Sequence, residues 1–484
     1  MPKTIFNTME KSNFILNMTI GEYQGFLVKI LLGWMLLSTL FCIPLEFAKV
    51  YSIPGMALSI IGVLAMVFVF IGFMKTATPR SLWMPAGLLG GLTVWGIVSL
   101  INSYYYNIAV MGADGRSEGL LSIVFYGCLF LLGAQLGTEE NRRKILDGLM
   151  VFGLVQCGWG LLQALPIGFP SYYQNLEPAL LFRAFLPSGL TGSPIFLAIL
   201  LVMLSVPAML GAAFAKEKKT RVFYLLSACA FVIMAVKTQC LLGFAGSLLA
   251  IVGVLVYLIT KKAGKSAYSS VSAVSAAFVV AMGLWTSMAP SINGTYSRET
   301  GEAVAVSSGF ALHDGAIIWD DSSYRLAVSG YYVGSGSENP NGDFEINSIS
   351  DTYRYLWNAS LSIVKRFPLV GSGPDQLVYP QLYQHHDPAS NPNTFDRTYN
   401  HYLHIAATLG IPALLLFLAV MAVTVCRGAK NCKDGSWVTA GIYGAVLLYL
   451  IMMLFGASSI TTAPVFWMLA GAAMGERTIS KIGK

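Results

Sequence analysis

The sequence predicts an all-α polytopic membrane protein, with about twelve transmembrane helices and one large, partly helical extracytoplasmic loop. Three observations carry this. Hydrophobic residues make up 55% of the 484 residues. Charged residues make up only 11%, against about 25% in an average soluble domain. The apolar residues also fall in blocks close to the roughly 20 residues needed to cross a bilayer. Together these exclude an ordinary soluble enzyme, a disordered chain and a disulfide scaffold.

Taken in order, the apolar blocks cover residues 25–46, 54–74, 84–101, 119–137, 145–165, 191–214, 222–236, 240–260, 268–288, 402–426, 437–456 and 460–475. The seventh and twelfth are short. Residues 1–24 are mixed and polar, without the apolar run and small-residue cleavage site of a signal peptide. The expected organisation is a bundle of about nine spans over 1–288, a loop over 289–401, and about three further spans over 402–484.

Lys and Arg in the short connections set the orientation. Alternate connections and the two tails hold 20 of the 31 basic residues, among them Lys75, Arg142, Arg143, Lys144, Lys218, Lys219, Lys261, Arg427 and Lys481. The opposite short connections hold only Lys49, Arg116, Arg183 and Lys237. Both termini are therefore expected in the cytoplasm, with the chain in the cytoplasmic (inner) membrane. The net charge of +7 reads as this topology signal, and no nucleic-acid partner is expected.

The 289–401 loop falls on the outer side. It carries twelve acidic and six basic residues. A segment this long with few apolar residues is functional or disordered. Its second half has helical spacing, with Tyr353, Leu356, Trp357, Ser360 or Leu361, and Val364 on one stripe. Asp351 is expected as N-cap, and Pro368 with Gly371-Ser-Gly-Pro374 as the stop. The seven cysteines (Cys42, Cys128, Cys157, Cys229, Cys240, Cys426 and Cys432) lie mostly in apolar blocks. They show no CxxC pair and read as small buried hydrophobes.

Outer-side cations are scarce, so each is a candidate. A guanidinium near the membrane surface suits a diphosphate, because its fork donates two hydrogen bonds to phosphate oxygens. Arg183 sits in an apolar setting ahead of the sixth span, while Arg354 and Arg366 flank the amphipathic helix. Arg116 lies between Asp114 and Glu118, where a local ion pair is favoured. His401 and His404 are three apart at the start of the tenth span and share a helix face; a helix starting near Asp396 would bring Arg397 onto that face. Histidine accepts protons near neutral pH, but histidines can also simply sit at headgroup level. His385-His386-Asp387 reads as a solvated turn. Walker A, GxSxG and Asp-rich metal motifs are absent. Ionisable groups at the membrane midplane are scarce and no strong internal repeat is visible, which counts against an ion-coupled transporter.

The C-terminal third carries Tyr353-Arg354-Tyr-Leu-Trp357, Lys365-Arg366-Phe-Pro-Leu-Val-Gly371-Ser-Gly373-Pro374-Asp375, Asp396-Arg397-Thr-Tyr-Asn400-His401-Tyr-Leu403-His404 and Thr408-Leu-Gly410-Ile-Pro412. Upstream are Gly115-Arg-Ser-Glu-Gly119-Leu-Leu and Thr191-Gly-Ser-Pro194-Ile-Phe. This set resembles the O-antigen ligase/polymerase superfamily of bacterial cell-surface glycan enzymes, closely over 350–412 and loosely elsewhere. The resemblance implies transfer of a saccharide from a polyprenyl (undecaprenyl) diphosphate carrier to a glycan or lipid hydroxyl at the outer leaflet, without metal or other cofactor. It implies diphosphate contacts from Arg354 and Arg183, then Arg366, Arg397 and Lys237. His404 or His401 would act as base, Asn400 would orient the acceptor or the histidine, and Gly371, Gly373 and Pro374 would shape the loop over the site. The chain departs from the pattern twice. Tyr399 stands where the family's histidine precedes the Asn, and Lys237-Thr-Gln239-Cys240 stands where many members have Ser-Arg. Polymerase and ligase are not separated by these residues, and a transporter or flippase of lipid-linked saccharides is the alternative of a different class.

Overall fold

A computed structural model describes residues 18–41, 52–75, 82–113, 116–164, 187–238, 240–288, 349–380, 397–433 and 436–475, with four short strands between 295 and 319. The helices run α1 Ile20–Phe41, α2 Ser52–Met74, α3 Trp83–Ser99, α4 Tyr106–Met111, α5 Leu120–Ala134, α6 Glu139–Ala164, α7 Pro194–Phe214, α8 Lys218–Lys237, α9 Leu241–Thr260 and α10 Lys265–Met288. After the strands come α11 Ile349–Arg366, α12 His401–Leu409, α13 Ile411–Lys433, α14 Trp437–Met452 and α15 Ala463–Met474. The strands form two antiparallel pairs, Thr295–Tyr296 with Ala303–Val304 and Phe310–His313 with Ala316–Trp319. The loop thus adds a little β structure to a chain expected to be all-α.

A helix stands at each expected apolar block. Among the described residues, eight helices are long and apolar enough to cross a membrane by themselves, and α5, α14 and α15 are shorter apolar helices. Two boundaries differ from expectation. The amphipathic helix begins at Ile349, so Asp351 lies inside its first turn instead of at the N-cap. The tenth block is two helices, α12 and α13. Gly410 separates them at φ +89°, and Pro412 in the first turn of α13 cannot continue the preceding helix. The backbone of Ile411 instead donates to Pro368 O at 2.8 Å.

A helix that is apolar all round belongs inside a bundle, and α7 is that helix. Every residue from Pro194 to Ala213 is buried, against α8, α9, α10 and α14. On α15, the ring of Trp467 has those of Tyr126, Phe130, Phe417 and Phe466 within 6.4 Å, centre to centre. The periphery is the reverse of a soluble surface. Met56, Ile60, Val63, Val67 and Phe70 on α2, and Leu248, Val252, Val256 and Ile259 on α9, are exposed. Apolar stripes of this extent need an apolar surrounding, so this is a multi-span membrane protein. Cys157 and Cys240 are buried, as expected of small hydrophobes, whereas Cys426 is exposed.

The helix ends that matter for chemistry meet at one end of the bundle. Thr461, ahead of α15, donates to Thr191 O, ahead of α7, at 3.2 Å. His401 N donates to Met453 O, after α14, at 2.9 Å. Tyr353 OH reaches Phe455 O at 3.1 Å, seating α11 on the same end through its buried stripe Tyr353, Leu356, Ser360 and Ile363.

Candidate functional site

The turn after α11 is built on glycine. Gly371 and Gly373 have φ of +65° and +101°, a region costly for residues with a Cβ. A Cβ on Gly371 would collide with the Thr408 carbonyl, and one on Gly373 with Ser103. The backbone NH groups of Ser372 and Gly373 donate to Ala407 O and Thr408 O at 3.0 and 2.9 Å. The other side of the turn is held from α3 and the segment after it. Ser99 Oγ donates to Val370 O at 2.5 Å, Asn102 Nδ2 to Gly371 O at 3.1 Å, and Tyr104 N to Gln376 Oε1 at 2.7 Å. Gly371, Gly373 and Pro374 thus set the position of the next residue, Asp375.

Asp375 meets Arg116, from the loop between α4 and α5. Arg116 Nε lies 2.6 Å from Asp375 Oδ1, and both side chains are buried. The second carboxylate oxygen accepts from Ala113 N at 2.7 Å and Glu118 N at 3.4 Å, so the Arg116 loop is held by the turn it pairs with. Arg116 Nη2 extends to His404 Nε2 at 3.1 Å and to Glu118 Oε2 at 3.6 Å. Glu118 Oε1 accepts from Ser458 Oγ at 2.6 Å and Tyr126 OH at 3.2 Å.

These groups surround a cavity of ≈ 80 Å³, room for several waters or one hydroxyl-bearing arm of a larger molecule. Its polar wall is Arg116, Glu118, Asp375, His401, His404 and Ser458, and its apolar wall includes Leu92, Tyr126, Phe417 and Trp467. Among the described residues, four non-glycine residues have positive φ, and three of them, Ser117, Asp375 and Tyr399, adjoin this cluster. Backbone strain concentrates where surrounding structure over-determines a functional geometry.

Charge and burial set the protonation states. A guanidinium can only donate, so His404 Nε2 is an acceptor and the ring is the neutral Nδ1–H tautomer. Burial and the nearby Arg116 charge hold His404 well below the usual histidine range and bring His401 down to about 4. Both histidines stand on the short helix α12, ahead of the spanning helix α13. Burial raises the Glu118 carboxyl, with Arg116 opposing.

The expected site residues separate into three groups. His401, His404 and Pro374 line the cavity. Arg397 is buried, with its guanidinium carbon 5.1 Å from the Phe196 ring centre, and its charge acts on both Glu118 and His404. It precedes α12 instead of sharing its face, because the helix starts only at His401. Asn400 is the N-cap of α12, its side chain accepting from Leu403 N at 3.0 Å. Lys237 is the last residue of α8 and half-buried. Arg354 and Arg366 are exposed on α11, and Arg366 lies over the Phe367 ring at 5.2 Å. Neither lines the cavity. Arg183 lies outside the described residues, as do His385 and His386.

By sequence alone Arg116 reads as a local ion pair and Asp375 as the last residue of a motif, and neither Glu118 nor Ser458 stands out. Arg116 does pair with Glu118, but its closest partner comes from within the large loop. The available signal was the scarcity of outer arginines together with the acid that directly follows Gly373-Pro374. Among the described residues, no cluster of three or more His, Cys, Asp or Glu side chains is arranged to hold a metal ion.

No curated protein matches the chain significantly. Residues 222–418 match the family model described as O-antigen ligase, a stretch running from α8 into α13 that contains Lys237, the large loop, Asp375, Arg397, His401 and His404. This match over residues 222–418 supports the likeness of that stretch to the O-antigen ligase/polymerase superfamily.

Proposed function

We propose that the protein is a membrane glycosyltransferase that moves a saccharide from a polyprenyl-diphosphate carrier to a hydroxyl of a glycan or lipid acceptor. The reaction takes place at the outer face of the cytoplasmic membrane, with both termini inside and about twelve spans. The observation that carries this reading is the meeting of the matched stretch's histidines, His401 and His404, with the buried Arg116–Asp375 pair around one cavity. The acceptor hydroxyl enters that cavity and attacks the anomeric carbon of the donor.

The diphosphate leaves with growing negative charge. Fixed cations aimed at that charge stabilise the transition state more than the ground state, often the largest catalytic term. Arg397 is the best-placed cation, because it is buried beside the cavity and its charge already reaches His404. Lys237 supplies a second charge from the end of α8. Arg183, Arg354 and Arg366 contact the diphosphate from the outer side. Asn400 acts by fixing the start of α12, and so the direction of both imidazoles. The chemistry runs without a metal ion.

The test reconstitutes the purified protein in liposomes with a fluorescent polyprenyl-diphosphate oligosaccharide and EDTA. The expected result is transfer with release of free polyprenyl diphosphate. A ladder of multiples identifies a polymerase, and a single shift on adding acceptor identifies a ligase. Passage of intact donor across the bilayer would overturn the reading in favour of a flippase.

A further inference from the structure

Glu118 is the cavity group that the transfer scheme leaves unused. Its side chain is 7% exposed. One oxygen, Oε1, is clamped from two sides by Ser458 and Tyr126. The other, Oε2, makes no hydrogen bond among the described residues. Arg116 Nη2 is 3.6 Å from it, close enough to attract and too far to hydrogen-bond. The result is a carboxylate fixed by one edge, with its other oxygen left for a small hydroxyl-bearing group.

The imidazoles are less suited to take a proton. His404 Nε2 faces Arg116, so its lone pair is occupied and its Nδ1–H is a donor. His401 is held at about 4 by burial, which makes it a weak base at neutral pH. A buried carboxylate on the cavity wall with one oxygen open is the better match.

Resting on the transferase reading above, we propose that Glu118 Oε2 is the proton acceptor for the attacking hydroxyl. The acceptor oxygen forms its bond to the anomeric carbon as the bond from that carbon to the phosphate oxygen breaks. The electron pair leaves on the polyprenyl diphosphate. The hydroxyl proton passes to Glu118 Oε2 and then to water. His404 Nδ1–H donates to the same acceptor oxygen before attack and orients it. The titratable and charged groups facing Glu118 are Arg116 from its own loop, Tyr126 on α5, Asp375 from the turn after α11, Arg397 ahead of α12, His401 and His404 on α12, and Tyr449 on α14. Arg116 and Arg397 lower its proton affinity, while burial and Asp375 raise it.

The experiment measures transfer and donor binding for Glu118→Gln and Glu118→Asp in liposomes. The donor is the labelled polyprenyl-diphosphate saccharide extracted from the source cells, and binding is read by competition with free polyprenyl diphosphate. Glu118→Gln is expected to lower transfer by about 10²–10⁴-fold, the usual worth of a general base. Donor affinity stays close to wild type and the acid limb of the pH–rate profile disappears. Glu118→Asp withdraws the carboxylate by one methylene; it is expected to keep the acid limb while losing at least about tenfold in rate. It also keeps the test open should the Gln variant fold poorly. A wild-type rate with an unchanged acid limb in Glu118→Gln, or a wild-type rate in Glu118→Asp, overturns the role of Glu118 alone. Wild-type protein that leaves the donor intact overturns the transferase reading, and this assignment with it.

Discussion

The Nε of Arg116 stands 2.6 Å from the Oδ1 of Asp375, joining the loop ahead of α5 to the glycine turn after α11. The pair ties the N-terminal helices to the stretch that matches the ligase family model, and from it the guanidinium reaches His404. Its strength comes from burial, and so does its vulnerability. A buried charge that loses its partner costs about 3–5 kcal/mol, whereas removing both charges together is often nearly neutral.

Arg116→Leu should therefore lower thermal stability in detergent by the equivalent of about 3–5 kcal/mol, because it leaves two buried carboxylates facing each other. The double variant Arg116→Leu/Asp375→Leu should recover a good part of that stability without recovering transfer. Additive losses in thermal unfolding would show that the two side chains are not coupled.

Asn400 offers a separable prediction. As an N-cap accepting from Leu403 N, it contributes about 0.5–2 kcal/mol to the start of α12. Asn400→Ala should reduce transfer, and Asn400→Asp or Asn400→Ser, which also cap, should restore it. Equal losses in all three would instead mean that the amide touches substrate.

Gly373→Ala tests the turn. The φ of +101° and the contact with Ser103 leave no place for a methyl group, and strain of about 1–3 kcal/mol follows. Displacing Asp375 should lower transfer more than donor binding, as read by a kcat–KM split.

Among the cations, Arg397→Ala should cost about 10²–10³-fold in kcat, the scale seen when one preorganised transition-state donor is removed. Arg354→Ala should cost less, because Arg354 is exposed on α11 and outside the cavity lining. The reverse order in parallel transfer assays would place the diphosphate over α11.

The helices were legible because the physics that forms them is local. Blocks of apolar residues near bilayer length announce themselves, and helical spacing finds the stripe of α11 at Tyr353, Leu356 and Ser360, although its end is Ile363 while Leu361 is exposed. The break at Gly410 was harder to see, since apolar residues continue on both sides. His401, His404 and Arg397 were visible as candidates from residue type and from the scarcity of charge around them. The partner of Arg116 was not visible. Asp114 and Glu118 stand next to it in sequence and offer a sufficient local explanation, while the contact with Asp375 exists only after the glycine turn packs against α3 and α12. Arg354 is the reverse case. Its motif drew attention, but the helix face that packs is the Tyr353–Leu356–Ser360 face, which turns Arg354 outward.

The central claim is that the sugar–phosphate bond breaks at this site. The direct measurement is the ratio of free polyprenyl diphosphate released to saccharide transferred by wild-type protein in EDTA-treated proteoliposomes. One carrier is expected to be released per saccharide moved, with both products lost in Arg397→Ala. Saccharide appearing on the far side of the bilayer still bound to its carrier, with no carrier freed, would contradict it.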